Sequence, residues 1–302
     1  MYYSDGVDLP LPDKHPFPRS KYRLLRERVE RLARRLPILL APGPDATREE
    51  LLRVHTEAYV DAVFEGQLTE QQQRAIGFPW SEGFVQRSLR STGSTLAAAR
   101  WACDAASESN WAAHLAGGTH HAFADHGQGF CVFNDVAVAI RALQAAGVAR
   151  RVLVLDCDVH QGNGTAKLFA GDDSVFTFSI HGRKNFPLKK EAGDLDIPLE
   201  DQTGDEEYLR LLTPGLERAW SAGPYDAVFY VAGADPFVDD RYGRMALSRE
   251  GLRKRDRAVL AGCKRSGLPT VTVMGGGYAR DVEAVADIYA ATIEEAASLA
   301  AQ

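Results

Sequence analysis

The stretch Val152-Leu153-Val154-Leu155-Asp156-Cys157-Asp158-Val159-His160 decides the reading of this chain. Its first four residues are all apolar, a run too short for a helix. Successive side chains of a strand point to opposite faces, so an unbroken apolar run reads as a strand covered on both sides. Strands of that kind belong to parallel sheets with helices on each face. The run then ends in carboxylates and an imidazole at alternate positions, Asp156, Asp158 and His160, which an extended chain places on one face.

Working outward, similar apolar runs occur at Ile38–Ala41, Ala112–Ala116, Val175–Phe178, Ala227–Val231 and Thr270–Met274. Helical periodicity lies between them, at Ser20–Arg35, Phe84–Ala106, Asp135–Ala146, Asp205–Ala219, Arg249–Ser266 and Val282–Ala300. The alternation predicts an α/β fold: a single domain, 1–302, with a mostly parallel central sheet flanked by helices. The basic run in Ser20–Arg35 reads as a solvated helix face. Five strands run directly into chemically active or glycine-rich termini: Gly117-Gly118-Thr119-His120-His121, Asp156 to His160, Ser179-Ile180-His181, Gly233-Ala234-Asp235 and Gly275-Gly276-Gly277-Tyr278. In a parallel sheet these termini share one edge, where ligands of open α/β sheets bind.

Composition narrows the partners. The 302 residues, 45% of them apolar, supply a large core, and the net charge of −6 argues against nucleic acid. Cys103, Cys131, Cys157 and Cys263 form no Cys-x-x-Cys pair, so free, mostly buried thiols are expected. No apolar run is long enough for a membrane span, and Met1–Pro18 lacks the pattern of a secretory signal. A cytoplasmic protein is expected.

Asp158, His160 and Asp235 have the donor types of a catalytic zinc site, which uses three protein ligands and leaves a position open. Two carboxylates make this a hard donor set, so Fe²⁺, Mn²⁺ or Co²⁺ can substitute. Read alone, Asp156 and Asp158 also fit a simple turn cap. His120 and His121 offer a base for a metal-activated water. Tyr278 offers a donor to a developing oxyanion, although a tyrosine packed in the core fits the same position.

Together the segments Gly117-Gly118-Thr119-His120-His121, Gly129-Phe130-Cys131-Val132-Phe133-Asn134-Asp135, Asp156 to Thr165, Phe178-Ser179-Ile180-His181-Gly182, Gly233 to Asp240 and Gly275 to Tyr278 resemble the histone deacetylase family, most closely short class IV-like bacterial amidohydrolases. The resemblance runs from about His15 to Tyr278 and implies the arginase/deacetylase fold. It implies zinc on Asp158, His160 and Asp235, and His121 as general base and acid with His120 its electrostatic partner. Asp156 would orient His120, and Tyr278 would donate to the transition state. Gly129, Phe130, Phe186 and Gly276 would line the substrate tunnel, and a structural K⁺ would sit at Asp156, Ser179 and Ile180. The implied substrate is an acylated lysine peptide or a small acylated amine. Two positions depart from many relatives: Asn163 stands where an aspartate commonly pairs with the second histidine, and Gln161 replaces a histidine. A two-manganese ureohydrolase would need a second aspartate-rich ligand set, which the chain lacks. A non-catalytic acyl-lysine binder would not need paired histidines.

Overall fold

The computed structural model describes residues 1–300, so the last two residues of the expected domain lie outside the described ones. Within them the strands are β1 (Tyr2–Tyr3), β2 (Ala41–Pro42), β3 (Trp111–His114), β4 (Val152–Asp156), β5 (Val175–Gly182), β6 (Leu195–Leu199), β7 (Ala227–Val231) and β8 (Thr270–Val273). They form one eight-stranded sheet in the order β2-β1-β3-β8-β7-β4-β5-β6, and every pairing is parallel. The helices are α1 (Ser20–Leu32), α2 (Arg48–Leu51), α3 (Glu57–Phe64), α4 (Glu70–Ile76), α5 (Glu82–Ala102), α6 (Asp135–Ala145), α7 (Asn163–Leu168), α8 (Asp205–Ser221), α9 (Arg249–Ser266) and α10 (Val282–Ala300).

The decisive run is the centre of this sheet. Leu153 and Leu155 of β4 face one layer with Val228 and Tyr230 of β7, packed against Leu25, Tyr208, Leu252 and Tyr289 of α1, α8, α9 and α10. Val152 and Val154 face the other layer with Phe229 and Val231, packed against Leu96 and Ala99 of α5 and Ile140 and Leu143 of α6. The period of two thus divides one strand between two cores, which is why no polar residue interrupts it. A third cluster, around Leu51, Tyr59, Ile76, Phe84 and Phe133, fills the space under α2, α3 and α4.

Four points differ from the expectations. Of the predicted strand Ile38–Ala41 only Ala41 pairs, because its partner β1 is just two residues long, and Leu39 stays 67% exposed. Strand β5 runs past Phe178 to Gly182, because β6 pairs with Phe178 to Gly182 and takes Ser179, Ile180 and His181 into the ladder. Strand β6 itself was not foreseen: Pro198 argues against a strand interior, but β6 is the sheet edge, where a missing N–H costs nothing. Nor is the basic face of α1 merely solvated, since Arg26 pairs with Asp5, and Arg28 with Glu283 and Asp287 of the C-terminal region. The expected free cysteines are present, three buried and Cys103 half-buried.

Leu153 is fully buried between the helical layers. Leu153→Ala should lower unfolding free energy by about 2–5 kcal/mol, read from the urea midpoint at constant slope.

Candidate active site

The C-terminal ends of β4 and β7 carry the first cluster. Asp158, His160 and Asp235 are buried, with both carboxylates fully enclosed. His160 Nδ1 lies 3.1 Å from Asp158 Oδ1 and 3.1 Å from Asp235 Oδ2. One ligand atom from each of the three residues lies within 4.8 Å of the others, close enough to hold one metal ion. Backbone groups fix the carboxylates from behind: Val159 N–H donates to Asp235 Oδ1 at 2.9 Å and Gly276 N–H to Asp158 Oδ2 at 2.6 Å. Gly276 must be glycine, since a Cβ there would sit 2.0 Å from Asp235 Oδ2. Burial and the neighbouring Asp158 charge push the Asp235 carboxyl up to about 7. His160 is pushed up to about 10, because its bonds to Asp158 and Asp235 outweigh burial. Two enclosed carboxylates that draw a proton onto their neighbour are a site short of a cation, and the oxygen and nitrogen donors suit a divalent metal.

The histidine pair hangs from the loop after β3. Asp135, at the start of α6, accepts from Gly118 N–H at 3.0 Å and Thr119 N–H at 2.8 Å, clamping that loop. Asn134 of the same motif caps α6 by accepting from Ala137 N–H. His120 Nδ1 donates to Asp156 Oδ2 at 2.7 Å, and His121 Nδ1 to Asn163 Oδ1 at 2.7 Å. These partners set the two rings apart. Burial alone would hold His120 low, but the Asp156 and Asp158 carboxylates outweigh it and push it up to about 9. His121 is driven well below its ordinary value by burial and by His120 and His160, and the Asn163 amide does little to oppose them. With Nδ1 committed to Asn163, His121 keeps a lone pair on Nε2.

A cavity of about 550 Å³ opens onto this cluster and is lined by His120, His121, Asp158, His160, Gly276 and Tyr278 as well as by Gly129, Phe130 and Phe186. Phe186 stands edge-on to His121 at 4.9 Å between ring centres, and Phe130 lies 5.8 Å from Tyr278. Gly129, at φ +57°, occupies the gap between His121 and Phe186, where a Cβ would be 2.8 Å from the one and 3.0 Å from the other. Phe130 takes φ +65°, rare outside glycine, and its N–H is held by the Ile76 carbonyl at 2.7 Å.

Residues 15–296 match the histone deacetylase domain. The chain belongs to the histone deacetylase family. It is 43% identical over 284 residues to an uncharacterized protein of Picosynechococcus, covering 93% of this chain and 92% of that one. It is 28% identical to Histone deacetylase 2 of Arabidopsis thaliana, covering 92% and 74% respectively. The crystal structure of an HDAC homolog complexed with SAHA superposes with a TM-score of 0.80 at 26% identity, covering 98% of this chain and 83% of that one.

Other expected residues of this deacetylase-family chain stand behind the cavity. Asp156 and Ser179 are register partners across β4 and β5, and both border a cavity of about 10 Å³ with Asp196. Ile180 lies beside them in β5, and the Ser179 hydroxyl bonds His181 Nδ1 at 2.9 Å. Gln161 donates to the Glu191 carbonyl and to Asp196, fastening the loop that carries Phe186.

Two supporting residues had no role in the sequence reading. Asp240 accepts from the Tyr278 N–H at 2.6 Å and from Tyr242 and Gly243, so it sets the Tyr278 loop; it closes the Gly233 to Asp240 segment, where nothing marked that task. Arg255 of α9, fully buried, donates to the carbonyls of Gly233 at 2.6 Å and Cys157 at 3.2 Å, one from each metal-ligand loop. It is paired with Asp256, which also accepts from Tyr230 and Thr292. Within the amphipathic pattern of α9 nothing marked that arginine as internal.

His120 generates a pH dependence. Its folded value of about 9 lies above the ordinary 6.5, so its contribution to stability is complete below pH 6.5 and is lost as pH rises through 9. In chelator-treated protein, the melting-temperature gap between wild type and His120→Asn should therefore be wide at pH 6 and narrow at pH 9.5. An equal gap at both would contradict the charged pair.

Proposed function

We propose that this protein is a zinc-dependent amidohydrolase that removes acyl groups from amines, acyl-lysine foremost. The observation that carries the reading is His121: a buried, neutral imidazole, its Nδ1 tied to Asn163, in the same cavity as a cation-deficient Asp158–His160–Asp235 cluster. A metal held by those three residues would polarise the amide carbonyl and acidify a water.

The protein groups then divide the work. His121 Nε2 takes the water proton, and the oxygen that gains charge as water adds to the carbonyl is met by the Tyr278 hydroxyl. Burial holds the Tyr278 phenol well above its usual value, so it stays protonated and donates. His120, kept cationic by Asp156, stabilises the charge that builds up. The departing amine receives its proton from His121 or His120, leaving free amine and carboxylate. Phe130, Phe186 and Gly129 hold the alkyl stem of the substrate, with Gly276 at its reacting end. A K⁺ on Asp156, Ser179 and the Ile180 carbonyl would brace β4 and β5 behind the metal.

The mouth supports a peptide over a polyamine. Lys184 and Arg244 line it, and exposed Leu188 and Tyr242 offer apolar contact. Lys184 at the entrance opposes a polycationic substrate, while Arg244 is paired with Asp201 at 3.2 Å.

Tyr278→Phe should keep the bound zinc and lose about 10²- to 10³-fold in kcat on an acetyl-lysine peptide. Metal analysis and a fluorogenic assay read the two quantities, and an unchanged rate would remove Tyr278 from the mechanism.

A further inference from the structure

Phe186, one wall of the cavity mouth, stands on a bend that leaves β5 at Gly182 and rejoins the body of the protein at Glu191. The near end is fastened: the Asn185 N–H donates to the Gly182 carbonyl at 3.1 Å, and the Asn185 amide to the Tyr242 carbonyl at 2.6 Å. So is the far end, where the Glu191 N–H and carbonyl bond the Gln161 amide at 3.0 and 2.6 Å. Between these anchors, Phe186 to Lys190 make no backbone–backbone hydrogen bond among the described residues. The two carbonyls that flank Phe186, those of Asn185 and Pro187, both accept instead from the Lys190 ammonium, each at 2.6 Å.

Lys190 is set apart from the other cations of this segment. Arg183 pairs with Glu200 at 2.7 Å, and Lys184 and Lys189 are exposed, whereas Lys190 is half-buried and turned into the bend. The acids near it have other partners. Glu191 faces Lys167 at 3.9 Å, and Asp196 takes bonds from Gln161 and from the Gly193 N–H, each at 2.8 Å. Its ammonium therefore serves carbonyls rather than a carboxylate, and burial pulls it below the usual lysine value. A hydrogen bond from a charged donor is about twice as strong as a neutral one. A bend with no ladder of its own keeps its shape only through such contacts.

We propose that Lys190 is a positioning residue for the substrate: its ammonium holds the bend that stands Phe186 in front of His121. The assignment rests on the hydrolase reading above. Phe186 meets the alkyl stem of the substrate opposite Phe130, so the width of that slot follows the bend. The reacting groups are anchored elsewhere, His121 on Asn163 and the Tyr278 loop on Asp240. Loss of the ammonium therefore weakens the hold on the stem equally in the ground state and the transition state, which raises KM and spares kcat.

The test is steady-state hydrolysis of an acetyl-lysine peptide by the zinc-loaded full chain. Lys190→Met keeps the stem and loses the donors, and Lys190→Arg keeps both charge and donors. In Lys190→Met, KM should rise about fivefold or more with kcat within about twofold, and Lys190→Arg should restore KM. The rise should persist in about 0.5 M NaCl, where the pull of a mere surface charge is screened. A smaller rise, one that salt abolishes, one that Lys190→Arg leaves in place, or a loss in kcat that exceeds the rise in KM overturns the proposal. Should the wild type hydrolyse no acyl peptide, the hydrolase reading fails by itself. Tryptic cleavage after Lys189, each rate taken relative to the urea-unfolded chain, then decides the bend. Cleavage about tenfold faster or more in Lys190→Met supports it, and a smaller difference overturns it.

Discussion

Asp158 and Asp235 are buried against each other, and much of the structure around them follows from that one constraint. Two carboxylates cannot be taken out of water side by side unless something positive faces them. The fold supplies that charge in pieces: backbone N–H groups from Val159 and Gly276 behind, and His160 between. The remaining gap is the place for a cation. The same field reaches the two neighbouring histidines unequally, because one ring answers to a carboxylate and the other to an amide. A single electrostatic arrangement thus produces a metal-binding cluster, one charged imidazole and one neutral imidazole within a few ångströms.

Holding that arrangement requires rigid supports, and they are internal polar groups rather than surface loops. Arg255 ties the two ligand-bearing loops together through their carbonyls, Asp135 clamps the loop of the histidine pair, and Asp240 sets the loop of Tyr278. The three supports come from α9, from the start of α6 and from the loop after β7. The glycines at the strand ends let the backbones come close enough for these bonds, as Gly276 does against Asp235.

Legibility in the sequence followed the strength of the local signal. Strands covered on both faces, such as β4 and β7, announce themselves by unbroken apolar runs, and the residues that end them are chemically distinctive. Strand β6 carries an aspartate and a proline and becomes a strand only because β5 pairs with it. The short helices α2, α3, α4 and α7 are too brief to show a period, although Thr47 with Glu50 and Thr69 with Gln72 form capping boxes that start α2 and α4. Among the residues of the cluster, Asp158, His160 and Asp235 and the histidine pair could be named because they sit in dense motifs. Arg255 could not, since an arginine on a helix looks the same in sequence whether it faces water or the interior.

The two ends of the chain meet in one layer. Helix α1 lies along α10, Arg28 reaches Glu283 and Asp287, and the buried Lys21 donates to the Gly277 carbonyl beneath Tyr278. The segment that brings Phe17 and Tyr22 to the cavity therefore rests on α10 at its far end, while Tyr2, Leu9 and Leu11 before it settle on β2, β3 and the third core cluster. A change in α10 that loosens its hold on α1 would thus be felt at the aromatic wall of the pocket, far from the residue replaced.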